Sequence, residues 1–436
     1  MSESTDVQNT ATLATTTTTD GDNFTPYTLE ITVSDPEKHL DQASGSTYVS
    51  YLISTRTNNP AYYNDKNKNK NSDNDDDERA ETLIKIRRRY SDLLILYDVL
   101  ANDHPTCVIP PVPDKQLLQY IAGDRFSQRF IQKRCHSIQT FLRRIAAHPV
   151  LSLSGALRLF LVSSEWETYR MSLLGNLPSN RDEVTDAFMN AFKSVRIQND
   201  EFVEIKRRND RLNRSITKLN KVFHAVVKRT DLLANDYIKL GTGLQELAEL
   251  SEGEGDRELS TSLTSFLTGI GRTADSLSDL NRYIDYEYLV DLSDLGKYIG
   301  SMKQLVKLKD QKQIDYEELS EYLAKAIKER DHLISGYGGS NYLTTKLGTL
   351  AGINQESARR EKISKLEERI ASLGTELERA KEVSDGFEQE TLKEISVFDE
   401  LKTQELKKSL NDLADRHIKF YEEMLETWTK VEESLG

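Results

Sequence analysis

Leu83-Ile-Lys-Ile-Arg-Arg-Arg-Tyr-Ser-Asp92 changes character twice within ten residues. Ile84 and Ile86 alternate with Lys85 and Arg87, the period-two pattern of a half-buried strand, and three consecutive arginines then run into Ser91 and the helical spacing of Asp92 to Leu100. A strand that hands over to a helix among arginines is a phosphate site in outline. Guanidinium groups fork onto phosphate oxygens, and a helix beginning near Ser91 points free N–H groups and a positive dipole end at the same place. Taken alone, such a triplet is more often a solvated basic strand end.

Outward from this stretch, Tyr27 to Val33 and Tyr48 to Ser54 alternate in the same way, so with Thr82 to Arg88 they predict three antiparallel strands. Residues 55–80 form an Asn/Asp/Lys-rich insert between the second and third strands, and residues 1–23 carry the run Thr15 to Thr19. Both are expected to be disordered for want of apolar periodicity. Loop-closure entropy grows only logarithmically with length, so a small sheet tolerates such an insert. After the first helix, Val108-Ile-Pro-Pro-Val-Pro-Asp-Lys115 reads as an extended polyproline arm ending in a lysine. Leu117, Leu118, Tyr120 and Ile121 make an apolar loop, either ordinary core or a surface that dips into a bilayer boundary. Arg125 to Ala147 is a predicted helix with Phe130, Ile138, Phe141 and Ile145 on its apolar side and Arg134 and Arg144 off it, and His148-Pro149 stops it. A short helix over Leu151 to Val162 closes a domain at residues 24–163, and 164–180 reads as a linker.

The net charge is −13, but it is unevenly spread. Residues 81–163 hold twelve Lys/Arg against six Asp/Glu and residues 203–229 hold nine against two, while residues 361–436 hold twenty acids against twelve bases. Two basic faces on an acidic chain point to a targeted anionic surface; no aromatic stacking set accompanies them, which argues against nucleic acid. Cys107 and Cys135, without a CxxC pair, argue for a reducing cytosolic compartment and against a structural metal. No apolar run approaches the ~20 residues that span a bilayer. There is no P-loop, GxSxG or HExxH, so the chain reads as a non-enzymatic protein with no cofactor.

Beyond residue 180 the pattern is helical throughout. Breaks at Glu252-Gly-Glu-Gly255 and Gly336-Tyr-Gly-Gly339 divide it into three long helices. The third keeps apolar 3,4 steps from Ile363 through Leu366, Ile370, Leu373 and Leu377, a seam that needs a partner and so predicts a dimer. Gly269, Gly271, Gly296 and Gly300 inside the second helix predict bends or close crossings. Residues 180–195 place Val184, Phe188, Phe192 and Val195 on one face, which suits either a buried helix or an amphipathic one at a membrane interface. Lys206, Arg207, Arg208, Arg211, Arg214 and Lys218 are either a solvated face or a lipid-facing one.

The order of motifs, Arg87-Arg-Arg-Tyr-Ser-Asp92, then Pro110-Pro-Val-Pro-Asp-Lys115, Phe130-Ile-x-x-Arg134 and Phe141-Leu followed by His148-Pro149, resembles the phox-homology (PX) domain of sorting nexins. That resemblance implies a pocket for the headgroup of phosphatidylinositol 3-phosphate. It assigns the 3-phosphate to Arg89, stacking under the inositol to Tyr90, a phosphate-facing contact to Ser91, the 1-phosphate to Lys115 and inositol hydroxyls to Arg134. Leu93 stands where the family more often carries Phe, a change that bears on packing. Three long antiparallel helices behind such a domain resemble a BAR domain, and the stretches 318–352 and 395–419 look like the fungal sorting nexin-4 type associated with autophagy. The expected fold is therefore an α+β PX domain, with a three-stranded antiparallel sheet and helices, followed by an all-α BAR domain at residues 181–436. The resemblance further implies a peripheral membrane protein that senses or shapes curved early-endosome membranes as a dimer, often a hetero-dimer with another sorting nexin. Its expected work is endosome-to-Golgi retrieval of cargo and autophagy, at the endosome and the pre-autophagosomal structure, with cargo and autophagy proteins as partners. The alternative is a coiled-coil scaffold whose PX domain and Pro-rich arm serve protein contacts.

Overall fold

In the computed structural model, the described residues are 27–40, 45, 47–62, 82–113, 126–163, 166–174, 195, 199–335 and 355–435. Contacts divide the chain into two compact units: Met1–Asn176 with Asn209–Ser301 and Val397–Gly436, and Leu177–Arg208 with Met302–Ser396.

In the first unit, β1 (Leu29–Leu40), β2 (Thr47–Thr57) and β3 (Thr82–Arg89) form an antiparallel sheet in the order β1-β2-β3. The register pairs Val33 with Ile53 and Ile53 with Ile86, so one face of each strand feeds the core. β1 is interrupted between Ser34 and Glu37, where Asp35 takes a positive φ of 47°, a conformation Asp tolerates better than most residues. The sheet is longer than the alternation predicts. β2 runs to Thr57 and is followed by a single turn at Pro60–Tyr62 whose Tyr62 is buried, so the expected disordered insert is ordered over its first residues.

Helix α1 (Tyr90–Asp103) follows β3 without a break, with Arg89 as its extended N-cap. α2 (Gln128–Ala147) starts at Ser127, whose hydroxyl accepts from the Phe130 N–H, and stops at His148 before Pro149. α3 (Gly155–Val162) follows, preceded by a short 3-10 turn at Leu151–Leu153. Leu96, Leu100, Ile138, Leu142, Ile145 and Phe160 are fully buried in the core, each contributing about 1.5–3 kcal/mol of apolar burial. Residues 166–174, placed by the sequence pattern within a linker, are instead helix α4 (Trp166–Leu174). Its first residue is buried in the same core, the Trp166 ring edge-on to Phe160 at 5.2 Å between centroids.

The long helices are α5 (Asp200–Gly253), α6 (Arg257–Tyr283), α7 (Leu289–Ser335) and α8 (Gln355–Leu435). A π-helical segment, Ile284–Tyr288, joins α6 to α7. Within the first unit, Ile216 lies against Gly296, Phe223 against Tyr288 and Gly241 against Leu267, so α5 runs antiparallel to α6 and α7. Phe398 meets Tyr298 and Trp428 meets Phe266, so α8 is antiparallel to them as well. Within the second unit, Lys309 stands 4.3 Å from the Phe202 ring and 3.3 Å from Glu388, and Lys362 pairs with Glu329 at 2.9 Å. Of the four glycines singled out by sequence, Gly269 and Gly296 are close crossings, whereas Gly271 and Gly300 face open space. The departure from regular α geometry comes at the π segment, which no glycine marks.

Candidate functional site

The three arginines of β3 diverge because alternate strand residues point to opposite faces. Arg87 reaches across the sheet to the β1 irregularity, donating to the Asp35 carbonyl at 3.0 Å and pairing with the carboxylates of Asp35 and Glu37. It is a strut of the sheet. Arg88 turns inward, donating from Nε to the Phe160 carbonyl at 2.9 Å and from Nη2 to that of Ser163 at 2.6 Å. Burial pushes its pKa down to about 10, against the opposing Asp92 and Glu167 carboxylates, so it stays cationic near neutrality.

Arg89 is left at the surface with a third of its side chain exposed. Its guanidinium lies 4.8 Å from the Tyr48 ring centroid and 3.5 Å from a Glu167 carboxylate oxygen. The register explains Tyr48: Ser50 pairs with Arg89, and Tyr48 is two residues along β2 on the same face. Arg89's own N–H donates to Asp92 Oδ2 at 2.8 Å, so a buried carboxylate already serves one of the amides where the helix begins.

Tyr90 ties two more of the expected residues to this corner. Its hydroxyl donates to the Pro113 carbonyl, fastening the Pro-rich arm two residues before Lys115. The Arg134 guanidinium lies 4.2 Å from the Tyr90 ring and 4.3 Å from the Phe130 ring. One side of Tyr90 is thus given to a cation. Arg134 also bonds to the hydroxyl of buried Tyr51, whose pKa burial raises to about 12 despite that cation. Arg89, Tyr90, Ser91 and Arg134 therefore gather around the start of α1. Lys115, the loop residues Leu117, Leu118, Tyr120 and Ile121, and residues 180–194 of the amphipathic stretch lie outside the described residues. Tyr48, Tyr51 and Glu167 were missed, because register across a long insert and the docking of α4 leave no local signature.

A second cluster lies on the far side of α2. Lys133 donates to Asp285 Oδ1 at 2.6 Å, Arg129 to Asp285 Oδ2 at 2.8 Å, His136 meets Asp291 at 2.7 Å, and Ser137 donates to Asp294. Arg144, expected off the apolar side, is buried against Glu405. Asp285 belongs to the π segment, whose extra residue per turn re-aims side chains. Burial pushes the Lys133 pKa down, against the Asp285 carboxylate that raises it. This second face of α2 is a structural join between the sheet domain and the long helices of the same unit.

The PX domain family matches residues 78–164, from the last residues of the Asn/Asp/Lys-rich insert to just past the end of α3. Sorting nexin-4 of Saccharomyces cerevisiae is 59% identical over 94% of this chain and 94% of its own length. The chain belongs to the sorting nexin-4 family. Sorting nexin-4 of Candida glabrata, at 58% identity over 94% of this chain and 93% of its own length, agrees. Among solved structures, the cryo-EM structure of the SNX-BAR Mvp1 tetramer covers 92% of this chain and 99% of its own at a TM-score of 0.55 and 16% identity, a likeness of fold. The three-stranded antiparallel sheet with its helices, followed by a mostly helical remainder, is the fold expected. The family is one of non-enzymatic, membrane-associated trafficking adaptors, and a PX domain implies phosphoinositide binding. Among the described residues no helix is long and apolar enough to cross a membrane.

Proposed function

We propose that the chain binds phosphatidylinositol 3-phosphate through Arg89, Tyr90, Ser91, Lys115 and Arg134, and senses or shapes curved endosomal membranes through a BAR dimer, serving endosome-to-Golgi retrieval and autophagy. The observation that carries the reading is the division of labour in β3. Arg87 is held by two carboxylates and Arg88 by two backbone carbonyls, while Arg89, over the Tyr48 ring, meets among the described residues a half-exposed carboxylate at 3.5 Å, beside Tyr90 and its Arg134. A forked donor left at a surface corner suits a phosphate monoester. The dimer is supported by α5, where Leu219, Val226, Leu233, Leu240 and Leu247, one every seven residues, are all exposed. Two headgroup pockets on one dimer multiply a modest affinity into avidity.

The scaffold alternative needs the Pro-rich arm as a protein ligand. That arm is packed inward instead, with Val108, Ile109, Pro110 and Pro113 buried. Sedimentation of the full chain with vesicles containing phosphatidylinositol 3-phosphate tests the reading. Arg89→Ala is expected to abolish the lipid-dependent fraction, and indifference to either lipid or substitution would return the scaffold.

A further inference from the structure

Two consecutive arginines grip the beginning of α4 from opposite sides of β3. Arg88 lies 5.7 Å from the Trp166 ring centroid and 5.4 Å from that of Phe160, so the buried tryptophan fixes where the helix starts. The next residue, Glu167, is thereby held at the Arg89 guanidinium, Oε2 to Nη2 at 3.5 Å. Glu167 also pairs with Arg170, one turn along the same helix. A carboxylate offers a guanidinium the same pair of acceptor oxygens as one edge of a phosphate.

We propose that Glu167 is a built-in competitor for the Arg89 guanidinium, so that an inositol phosphate has to take Arg89 from a carboxylate of the chain itself. This rests on the headgroup reading above and adds a residue that sets its threshold. The exchange is an easy one: when a phosphate takes Arg89, Glu167 keeps Arg170 and is not left as an unpaired charge. A phosphate monoester near two negative charges outcompetes a single carboxylate, whereas singly charged headgroups do not. Glu167 thus lowers the affinity of any anion that enters this corner and leaves untouched the adsorption of lipids that meet the protein elsewhere. Because α4 is seated by Trp166, the competitor stands in place before any ligand arrives, and over half of its side chain remains exposed, so it moves aside without disturbing the core.

The experiment uses the full chain as wild type, Glu167→Gln, Arg170→Gln and Arg89→Ala. Three probes are compared: vesicles with phosphatidylinositol 3-phosphate, phosphatidylserine vesicles of matched charge, and soluble inositol 1,3-bisphosphate. Glu167→Gln is expected to bind both inositol phosphate probes about two- to fivefold more tightly, the weight of one exposed ion pair. Arg170→Gln, which leaves Glu167 to Arg89 alone, is expected to bind them more weakly. A gain on the soluble headgroup locates the competition at the pocket instead of the membrane surface. Unchanged affinity in Glu167→Gln, or the same gain on phosphatidylserine as on the inositol phosphates, overturns the proposal while leaving the headgroup reading intact. Failure of that reading shows separately, as an Arg89→Ala chain that binds all three probes like wild type, and it takes this proposal with it.

Discussion

Arg144 and Glu405 share two parallel hydrogen bonds, Nε to Oε2 at 2.9 Å and Nη2 to Oε1 at 2.5 Å, with the arginine almost wholly buried and a quarter of the glutamate exposed. Burial alone would disfavour the charged guanidinium, but Glu405, aided by Asp294, outweighs it and raises the pKa. Removing Glu405 strands that cation. Breaking a buried pair costs roughly 3–5 kcal/mol, and partial exposure of Glu405 reduces this to about 2–3 kcal/mol for Glu405→Ala. A joint Arg144→Met/Glu405→Leu change should recover much of the loss. Denaturant unfolding of the full chain measures both, and a loss under about 0.5 kcal/mol for Glu405→Ala would mean the pair contributes nothing.

That join also marks where sequence reasoning stops. Ile84 and Ile86 announce β3, and Phe130, Ile138 and Ile145 announce α2, because water on one side and core on the other impose a period on a single segment. Lys133, His136, Ser137 and Arg144 share the other face of α2, yet polarity alone does not distinguish a face toward water from one toward acids far onward in the chain. Within the candidate site, Arg89, Tyr90 and Ser91 are contiguous and were legible for that reason. Tyr48 depends on the β2–β3 register, and Glu167 on where Trp166 docks; both are tertiary facts with no local trace.

His136 gives the join a pH dependence. Burial opposes its protonation, but the hydrogen bond and charge of Asp291, with Glu287 and Asp294 nearby, prevail and lift its pKa above the ordinary 6.5. A group raised on folding contributes its full stabilisation below the unfolded value and loses it as pH rises through the folded one. The melting-temperature advantage of wild type over His136→Gln should therefore be greatest below about pH 6.5 and shrink above it. A constant difference across that range would mean His136 does not titrate with folding.

Arg88 and Arg89 should separate stability from binding. Arg88→Ala leaves the Phe160 and Ser163 carbonyls without their donor, at about 1–3 kcal/mol each when buried. Arg89→Ala removes only an exposed pair and a ring contact, at about 1 kcal/mol or less. Melting curves beside vesicle sedimentation should show the first variant destabilised and the second stable but deficient in phosphoinositide binding. Equal destabilisation in both would deny the division of labour in β3.

Gly269 and Gly271 lie two residues apart in α6 and should respond to alanine with opposite signs. Either change gains about 1 kcal/mol of helix propensity. At Gly271 a Cβ meets nothing within 4 Å, so the gain stands. At Gly269 the same atom would lie 2.8 Å from Cγ2 of buried Val431, with the Trp428 ring 3.6 Å away. Valine's short branched side chain has few rotamers in a helix and cannot withdraw as a lysine would. Overpacking of this kind costs about 1–3 kcal/mol, which exceeds the propensity gain. Gly269→Ala should therefore lower the unfolding free energy while Gly271→Ala raises it. If both were to raise it, the approach of α8 to α6 would be loose enough to admit a methyl group, and Gly269 would not be what sets the distance between those helices.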